Sequence, residues 1–278
     1  MEKQHELLQK ILAWSERQDT IRVMILAGSL TREDNTADDL SDLDIGVYAT
    51  DHEYYGDTDQ WMQEIAPVWM YLPLKSDKDT PSRLVIFEGG VKVDFLFYPL
   101  EVLDERVKDL PDIFHLGYKV LIDKDNLTEK LQPPAFKPLP AKKPTEKEFI
   151  ALVEEFWFEA YHIAKYIKRG DLWSVKSRDW GVKELLRRMI EWYEKSIHGW
   201  DYDTRHLGVG MKKWVEPEIW EELYTIFAHF DVVDSSKTLQ ATIVLFRKVA
   251  KQTAQKLNYA YPEEVDEQIS TYINSLLS

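Results

Sequence analysis

The 278-residue chain contains no cysteine. Disulfides, cysteine-ligated zinc, iron–sulfur clusters and thiol catalysis are therefore excluded. The chain also lacks an uninterrupted apolar run of ~18 residues, so we expect no membrane span. Residues 1–9 are polar and charged and lack the apolar core of a signal peptide. We therefore expect a cytoplasmic protein.

Basic residues are scarce relative to acidic ones. Lys and Arg total 35 against 49 Asp and Glu, which gives a formal net charge of −14. Such a charge repels nucleic acids, whose affinity for proteins comes largely from Lys and Arg, so we expect no nucleic-acid partner. A small cationic substrate would be attracted instead. The alternative is that the negative charge only keeps the protein soluble.

A proline-rich segment divides the chain. Five of the twelve prolines lie at positions 133–144, and proline disfavours both helix and sheet interior. With 44% hydrophobic residues the chain is typical of a packed globule. We predict a first domain over residues 1–132, a linker over 133–144 and a second domain over 145–278.

The first part mixes helical and strand patterns. Helical spacing marks residues 2–17, and β-type runs occur at 21–27, 43–48, 84–87, 91–98 and 118–122. Gly89-Gly90 between two of these runs is typical of a hairpin turn. The second part is almost wholly helical by periodicity, beginning at a capping-box pattern, Thr145 to Glu148. The predicted fold is α+β: a mixed β-sheet flanked by helices, followed by an α-helical bundle of about five helices.

Two carboxylates mark the start of one predicted strand. Asp42 and Asp44 are two residues apart, so they share one strand face while Leu43 and Ile45 point to the other. Two close carboxylates repel each other, and keeping both ionised requires cations. Mg²⁺ fits best because it is hard and prefers oxygen ligands.

A third carboxylate, Asp94, interrupts the apolar run at 91–97. Burying an acid there is unfavourable unless it is paired or bound to metal. If its strand lies beside that of Asp44, three carboxylates converge. The alternative is a surface Asp94 paired with Lys92 or another cation.

The Gly28-Ser29 turn supplies a second element. Glycine permits close approach of the backbone to a ligand, and the Ser29 hydroxyl with neighbouring N–H groups can bind a phosphate. A phosphate-binding turn that faces metal ions held by carboxylates is suited to displacement reactions at phosphorus. The alternative is a plain turn before an acidic loop.

The chain resembles the aminoglycoside 6-adenylyltransferase (streptomycin adenylyltransferase) family, within the nucleotidyltransferase superfamily related to DNA polymerase β. The resemblance covers nearly the whole length. It is carried by Gly28-Ser29-Leu30-Thr31, Ser41-Asp42-Leu43-Asp44-Ile45, and the segments Phe87–Asp94, Val120–Asp125, Glu155–Trp157, Leu185–Trp192 and Leu245–Lys248. Only the first two of these patterns generalise to the superfamily.

The resemblance implies an enzyme that transfers AMP from ATP to a hydroxyl of an aminoglycoside and releases pyrophosphate. It implies that Asp42, Asp44 and Asp94 bind two Mg²⁺ ions, with Asp94 also taking the proton of the attacking hydroxyl. It further implies that the first domain holds ATP and that the second binds the antibiotic.

Leu30 departs from the arginine that is common in the family at this position, and Arg32 is close enough in sequence to replace it. Lys124 and Lys212 are further candidate nucleotide ligands, with surface lysines as the alternative. Carboxylates of the second domain, Glu155, Glu159 and Asp179, are candidate sites for ammonium groups of the acceptor, and a solvated helix face is the alternative. Trp157 belongs to a family-like segment, but its spacing equally suits the helical core. The seven histidines show no metal-ligand spacing.

Two other functions stay open from sequence. One is a nucleotidyltransferase that acts on a lincosamide or an endogenous metabolite, and the other is a nucleotide-binding relative without turnover. The sequence is compatible with either a monomer or a homodimer.

Overall fold

The structure is a computed structural model that describes residues 1–75 and 80–278. The chain forms two compact units, Met1–Leu139 and Pro140–Ser278. The boundary falls within the proline-rich segment. None of the helices among the described residues is both long enough and apolar enough to cross a membrane.

The first unit contains a six-stranded sheet and its flanking helices. Its helices are α1 (Glu2–Glu16), α2 (His52–Asp57), α3 (Gln60–Ile65), α4 (Glu101–Lys108) and α5 (Asp112–His115). Its strands are β1 (Ile21–Ala27), β2 (Leu43–Ala49), β3 (Val68–Lys75), β4 (Pro81–Phe87), β5 (Lys92–Tyr98) and β6 (Lys119–Asp123).

The sheet is mixed, with strand order β3-β4-β5-β2-β1-β6. The central pair β2 and β5 is parallel, whereas β1 pairs antiparallel with β2 and β6, and β4 pairs antiparallel with β3 and β5. The β4–β5 hairpin turns at Gly89-Gly90 as predicted. The parallel pair therefore lies at the centre of the sheet.

The two faces of the sheet belong to separate apolar clusters. On β1, Met24 and Leu26 belong to the cluster that includes Trp14 and Trp61, whereas Val23 and Ile25 belong to the cluster that includes Phe114. This division explains why β1 is apolar at nearly every position, since a central strand is buried on both sides. On β2 and β5 the second face carries Asp44 and Asp94 near the start of the strands, whereas Tyr48 and Tyr98 further along pack with the second cluster.

The second unit is helical. Its helices are α6 (Glu146–Arg169), α7 (Leu172–His198), α8 (Met211–Trp214), α9 (Pro217–Leu223), α10 (Val232–Leu257) and α11 (Glu263–Leu277). The capping box opens α6 as predicted: the Thr145 hydroxyl accepts from the Glu148 N–H, and the Glu148 carboxylate accepts from the Thr145 N–H. The amphipathic faces of α6, α7 and α10 meet in one apolar core.

The predicted fold class is confirmed, with two local errors. Strand β3 was not predicted because it carries Pro73 and consecutive apolar residues that do not alternate with polar ones. It lies at the sheet edge, where proline is tolerated. The almost wholly helical pattern predicted for the second part also breaks after α9, which ends at Leu223.

Candidate active site

The parallel pairing of β2 and β5 brings two carboxylates side by side. Asp44 is the register partner of Asp94, and Leu43 is the partner of Val93. Leu43 and Val93 are fully buried in the first cluster, so the two aspartates point to the opposite face. Asp42 precedes β2 on the same face. The structure therefore brings together the three carboxylates that the sequence singled out.

Lys92 lies among these carboxylates. Its Nζ is 2.8 Å from Oδ2 of Asp42 and 2.8 Å from Oδ1 of Asp94. Burial lowers the pKa of Lys92, but the hydrogen bonds to the two carboxylates outweigh this effect, and the net pKa is raised. From sequence, the alternative to a three-carboxylate cluster was an Asp94 paired with Lys92 or another cation. The structure contains this ion pair. It coexists with the three-carboxylate cluster.

Asp44 differs from an ordinary surface aspartate. Burial and the neighbouring Asp94 charge raise its pKa from 3.8 to about 6, against the opposing effects of Lys92 and Arg32. Burial and like charge both disfavour an ionised carboxylate. A cation that binds here would reverse that balance, because it favours the ionised form.

Gly28 allows the turn after β1 to approach Asp44. Its φ of +79° and ψ of −156° lie in a region that is essentially restricted to glycine. A Cβ at this position would lie 2.0 Å from Oδ2 of Asp44. The 3₁₀ turn Ser29–Thr31 follows directly. Gly28 therefore lies directly beside Asp44, and Ser29 is the next residue of the turn.

A second glycine supports this turn. The Thr31 hydroxyl donates a hydrogen bond to the Gly117 carbonyl at 2.8 Å. A Cβ on Gly117, whose φ is +144°, would lie 2.1 Å from the Thr31 carbonyl oxygen. The loop before β6 thus packs directly on the turn that carries Ser29.

Leu30 and Arg32 have separate roles in this turn. Leu30 packs against the apolar cluster of the first sheet face. Arg32 is close enough to Asp44 for its charge to lower the pKa of that carboxylate, and its guanidinium also lies 3.8 Å from Asp34. The positively charged residue next to the Gly28-Ser29 turn is therefore Arg32, at position 32 rather than position 30.

Lys124 lies elsewhere. Its Nζ donates to the carbonyls of Ser15, Glu16 and Gln18, and its N–H donates to the Arg22 carbonyl. Arg22 lies near the start of β1 and Gly28 follows its end, so about 20 Å of strand separates them. Lys124 fastens the end of α1 to the sheet and is not brought to the carboxylates.

The acceptor-site candidates occupy different environments in the second unit. Trp157 is fully buried in the helical core, whereas Glu155 is exposed. The carboxylate oxygens of Glu159 lie 3.0 and 2.7 Å from an Arg178 nitrogen. Asp179 accepts from Lys183 at 2.7 Å. Glu159 and Asp179 therefore already have cationic partners.

A cavity of about 710 Å³ in the second unit was not predicted as such. Lys212 lines it, and four aromatic side chains form its apolar walls. These are Trp180, Trp220, Tyr224 and Phe227. Lys183 and Glu184 also line it, which places the Asp179–Lys183 pair at its edge. Trp180 is 65% exposed. An exposed aromatic residue of this kind could have indicated the cavity, but the sequence shows that it is exposed only when the buried and exposed faces of the helix are known.

The mixed sheet and the carboxylates beside the Gly28-Ser29 turn fit the nucleotidyltransferase class of enzymes. The sequence model of the streptomycin adenylyltransferase family matches residues 1–276. The chain therefore belongs to the streptomycin adenylyltransferase family.

Curated relatives agree with this assignment. The chain is 26% identical to an aminoglycoside 6-adenylyltransferase of Bacillus subtilis, over 99% of this chain and 98% of the relative. It is 28% identical to one of Campylobacter jejuni, over 98% and 95%. A crystal structure of an aminoglycoside 6-adenyltransferase from Bacillus subtilis aligns at 23% identity with a TM-score of 0.49, covering 98% of each chain.

Proposed function

We propose that the protein transfers AMP from ATP to a hydroxyl of a streptomycin-like aminoglycoside and releases pyrophosphate. The observation that carries this proposal is the alignment of Asp44 with Asp94 across β2 and β5, directly beside the Gly28-Ser29 turn. The names of the relatives support the choice of acceptor. The formal charge of −14 favours a cationic acceptor.

The residues present fit a divalent metal site. The Lys92 ammonium lies between Asp42 and Asp94, which indicates that this position favours a cation. Asp42, Asp44 and Asp94 offer the oxygen ligands that Mg²⁺ prefers. Bound Mg²⁺ would neutralise the charge of the phosphate groups and would favour the deprotonated form of the attacking oxygen. Two Mg²⁺ ions are proposed from the family resemblance.

In the proposed reaction the acceptor hydroxyl oxygen bonds to the α-phosphorus of ATP. The bond from that phosphorus to the β-phosphate oxygen breaks, and pyrophosphate leaves. A carboxylate oxygen of Asp94 accepts the hydroxyl proton. Ser29 and the N–H groups of its turn hold the phosphate chain, and Arg32 supplies positive charge beside Asp44. The protein thus acts by positioning and electrostatics.

Lys212 is proposed as a nucleotide ligand. Its Nζ lies 6.0 Å from the Trp220 ring centroid, and cations outnumber carboxylates in its cavity. This charge balance favours phosphate over an acceptor ammonium group. Lys212→Met should raise KM for ATP several-fold and leave KM for streptomycin unchanged. Lys256→Met, an exposed lysine of α10, is the control.

The acceptor is proposed to contact carboxylates of the second unit. Glu155 is exposed and available, whereas Glu159 and Asp179 would have to exchange Arg178 and Lys183 for the ligand. Trp157 acts through the core rather than by contact, because none of its surface is exposed. Glu155→Gln should raise KM for streptomycin and leave KM for ATP unchanged.

The central test is pyrophosphate release with ATP, Mg²⁺ and streptomycin, compared between the natural chain and Asp42→Asn. Mass spectrometry should find one AMP added to streptomycin. AMP adducts on a lincosamide or a metabolite instead would keep the chemistry and change the acceptor. Equal pyrophosphate release by Asp42→Asn would reject the proposed metal ligands. No turnover with any acceptor, despite ATP binding, would favour a non-catalytic relative.

A further inference from the structure

Three metal-ligating side chains meet in the second unit. Glu194 and His198 lie one turn apart near the end of α7, and Glu216 directly precedes α9. One ligand atom of each lies within 4.8 Å of those of the others. The third residue is distant in sequence, which is why histidine spacing alone did not reveal the group.

One of these side chains is buried with an unused acceptor. Glu194 is fully buried, and its Oε2 has no hydrogen-bond partner among the described residues. Its other oxygen, Oε1, accepts from the Glu216 N–H at 2.9 Å. That bond fixes the carboxylate and directs Oε2 toward the ring of His198, whose Nε2 lies 3.5 Å away. A buried carboxylate oxygen without a donor is unfavourable unless a cation joins it.

The spacing of the three atoms suits a small transition-metal ion. His198 Nε2 is 3.5 Å from Oε2 of Glu194 and 3.8 Å from Oε1 of Glu216. Ligand atoms about 2.0–2.2 Å from a tetrahedral zinc ion are about 3.4 Å apart. The imidazole selects against Mg²⁺ and for zinc. An ion therefore fits between these atoms with only small side-chain movements.

The surroundings also favour a cation. The group lies at the C-terminal end of the 27-residue helix α7, where the helix dipole is negative. His198 is 39% exposed and Glu216 42% exposed, which leaves an open side for entry and for a water ligand. The Tyr202 ring packs on the imidazole, with centroids 4.5 Å apart, and limits its rotation.

We propose that Glu194, His198 and Glu216 form a zinc site that is separate from the nucleotidyl-transfer site. Zinc would join the end of α7 to the start of α9 across residues 199–216. Residues 207–213 of that segment contribute to the wall of the aromatic cavity. The role of this ion is structural: it braces one wall of the cavity.

The test is zinc titration of untagged, chelator-treated protein by calorimetry. The background variant carries Asp42→Asn and Asp94→Asn, so that binding at the transfer site does not contribute. We expect one equivalent of zinc and a rise in Tm that excess Mg²⁺ does not reproduce. His198→Gln and Glu216→Gln should each weaken zinc binding by at least about tenfold. His229→Gln, a surface histidine paired with Asp234, is the matched control and should bind like the background.

Spectroscopy gives an independent readout. Cobalt in place of zinc should give visible absorption typical of a four-coordinate ion in the background, and His198→Gln should lose it. Unchanged zinc affinity in both His198→Gln and Glu216→Gln would overturn the proposal. So would the absence of saturable binding at about 100 µM zinc. In that case the group is a contact between the His198 imidazole and two carboxylates without a metal ion.

Discussion

One aspartate in each unit shows a different way of accommodating a carboxylate. In the helical unit Asp266 is 5% exposed and accepts three charge-assisted hydrogen bonds from Arg247, at 2.6, 2.7 and 3.1 Å, and one from Tyr261. In the sheet unit Asp44 lies against Asp94, and burial with like charge raises its pKa to about 6. Asp266 is thus paired with a cation, whereas Asp44 lies against a second carboxylate.

This difference separates a structural role from a functional one. Paired buried ions hold helices in register, and removing one partner leaves the other uncompensated. Like charges held together weaken the unliganded fold and are retained where a ligand needs them. Glu194 is the exception in the helical unit, which is a second reason to look for a cation there.

The largest expected effect is on turnover. Asp94→Asn should lower kcat/KM by roughly a thousandfold, because the loss of a ligand to a catalytic ion removes several kcal/mol of transition-state stabilisation. Its Tm should stay close to that of the natural protein. Pyrophosphate release and thermal unfolding measure the two quantities.

Asp123→Asn is the matched control on the same sheet. Asp123 accepts from the N–H groups of Leu127 and Thr128 at the opposite end of β1 from Gly28. It should lose about 1–3 kcal/mol of stability and keep its kcat. A normal rate in Asp94→Asn would move the proton acceptor elsewhere.

The next largest expected effect is on the free energy of unfolding, and its sign differs between the buried Asp266 and the half-buried Asp44. Asp266→Asn should lower the free energy of unfolding by about 2–4 kcal/mol, because it leaves Arg247 without its partner. Asp44→Asn should raise it in metal-free protein at neutral pH, by at most about 3 kcal/mol. Denaturant unfolding in the presence of a chelator measures both.

The pH dependence of stability shows whether ionised Asp44 stabilises or destabilises the fold. Its pKa is about 6 in the folded state and 3.8 ordinarily, so between these values the folded chain binds more protons. Stability of the natural protein should therefore fall as pH rises through this window, relative to Asp44→Asn. Below pH 3.8 the two proteins should converge. A constant difference across this range would reject the raised pKa.

Local pattern predicted most of the sheet, because alternation and glycine turns are encoded within each strand. Strand β1 matches at both ends, and β2 and β5 match within one residue. The meeting of Asp44 with Asp94 depends on which strands become neighbours. It was therefore predicted only conditionally.

The partners that individual side chains contact could not be predicted as well from sequence. Lys124 carries no local signal that its ammonium group would donate to three carbonyls at and just after the end of α1. The contact of Glu216 with Glu194 depends on how the segment after α7 folds back. Pairings across such distances are set by tertiary packing, which no single stretch of sequence encodes.

Gly28 in the sheet unit and Gly170 in the helical unit both have positive φ, and substituting each by alanine compares how strictly the backbone requires glycine. Gly28→Ala should lower stability by about 2–4 kcal/mol and abolish transfer, because φ and ψ exclude a side chain and Asp44 occupies its space. Gly170→Ala should lower stability by only about 1 kcal/mol. Gly170 ends α6 with φ of +72°, and nothing lies within 4 Å of its Cβ position. Similar losses for both variants would show that the contact with Asp44 contributes little.

The smallest effect concerns Lys92 and metal affinity. Its ammonium lies 2.8 Å from both Asp42 and Asp94, so it competes with any cation for these oxygens. Lys92→Met should tighten Mn²⁺ binding by roughly tenfold, since a positive charge a few ångströms away is removed. Electron paramagnetic resonance of Mn²⁺ measures the affinity, in a His198→Gln background so that the proposed zinc site does not contribute.

The same substitution should destabilise the metal-free fold, because the carboxylates then face one another without a cation. Lys92→Arg keeps the charge and should leave both quantities near their natural values. Weaker Mn²⁺ binding in Lys92→Met would mean that the lysine orders the carboxylates for the metal rather than competing with it. That result would make the carboxylates of the sheet unit resemble Asp266 of the helical unit, which is held in place by Arg247.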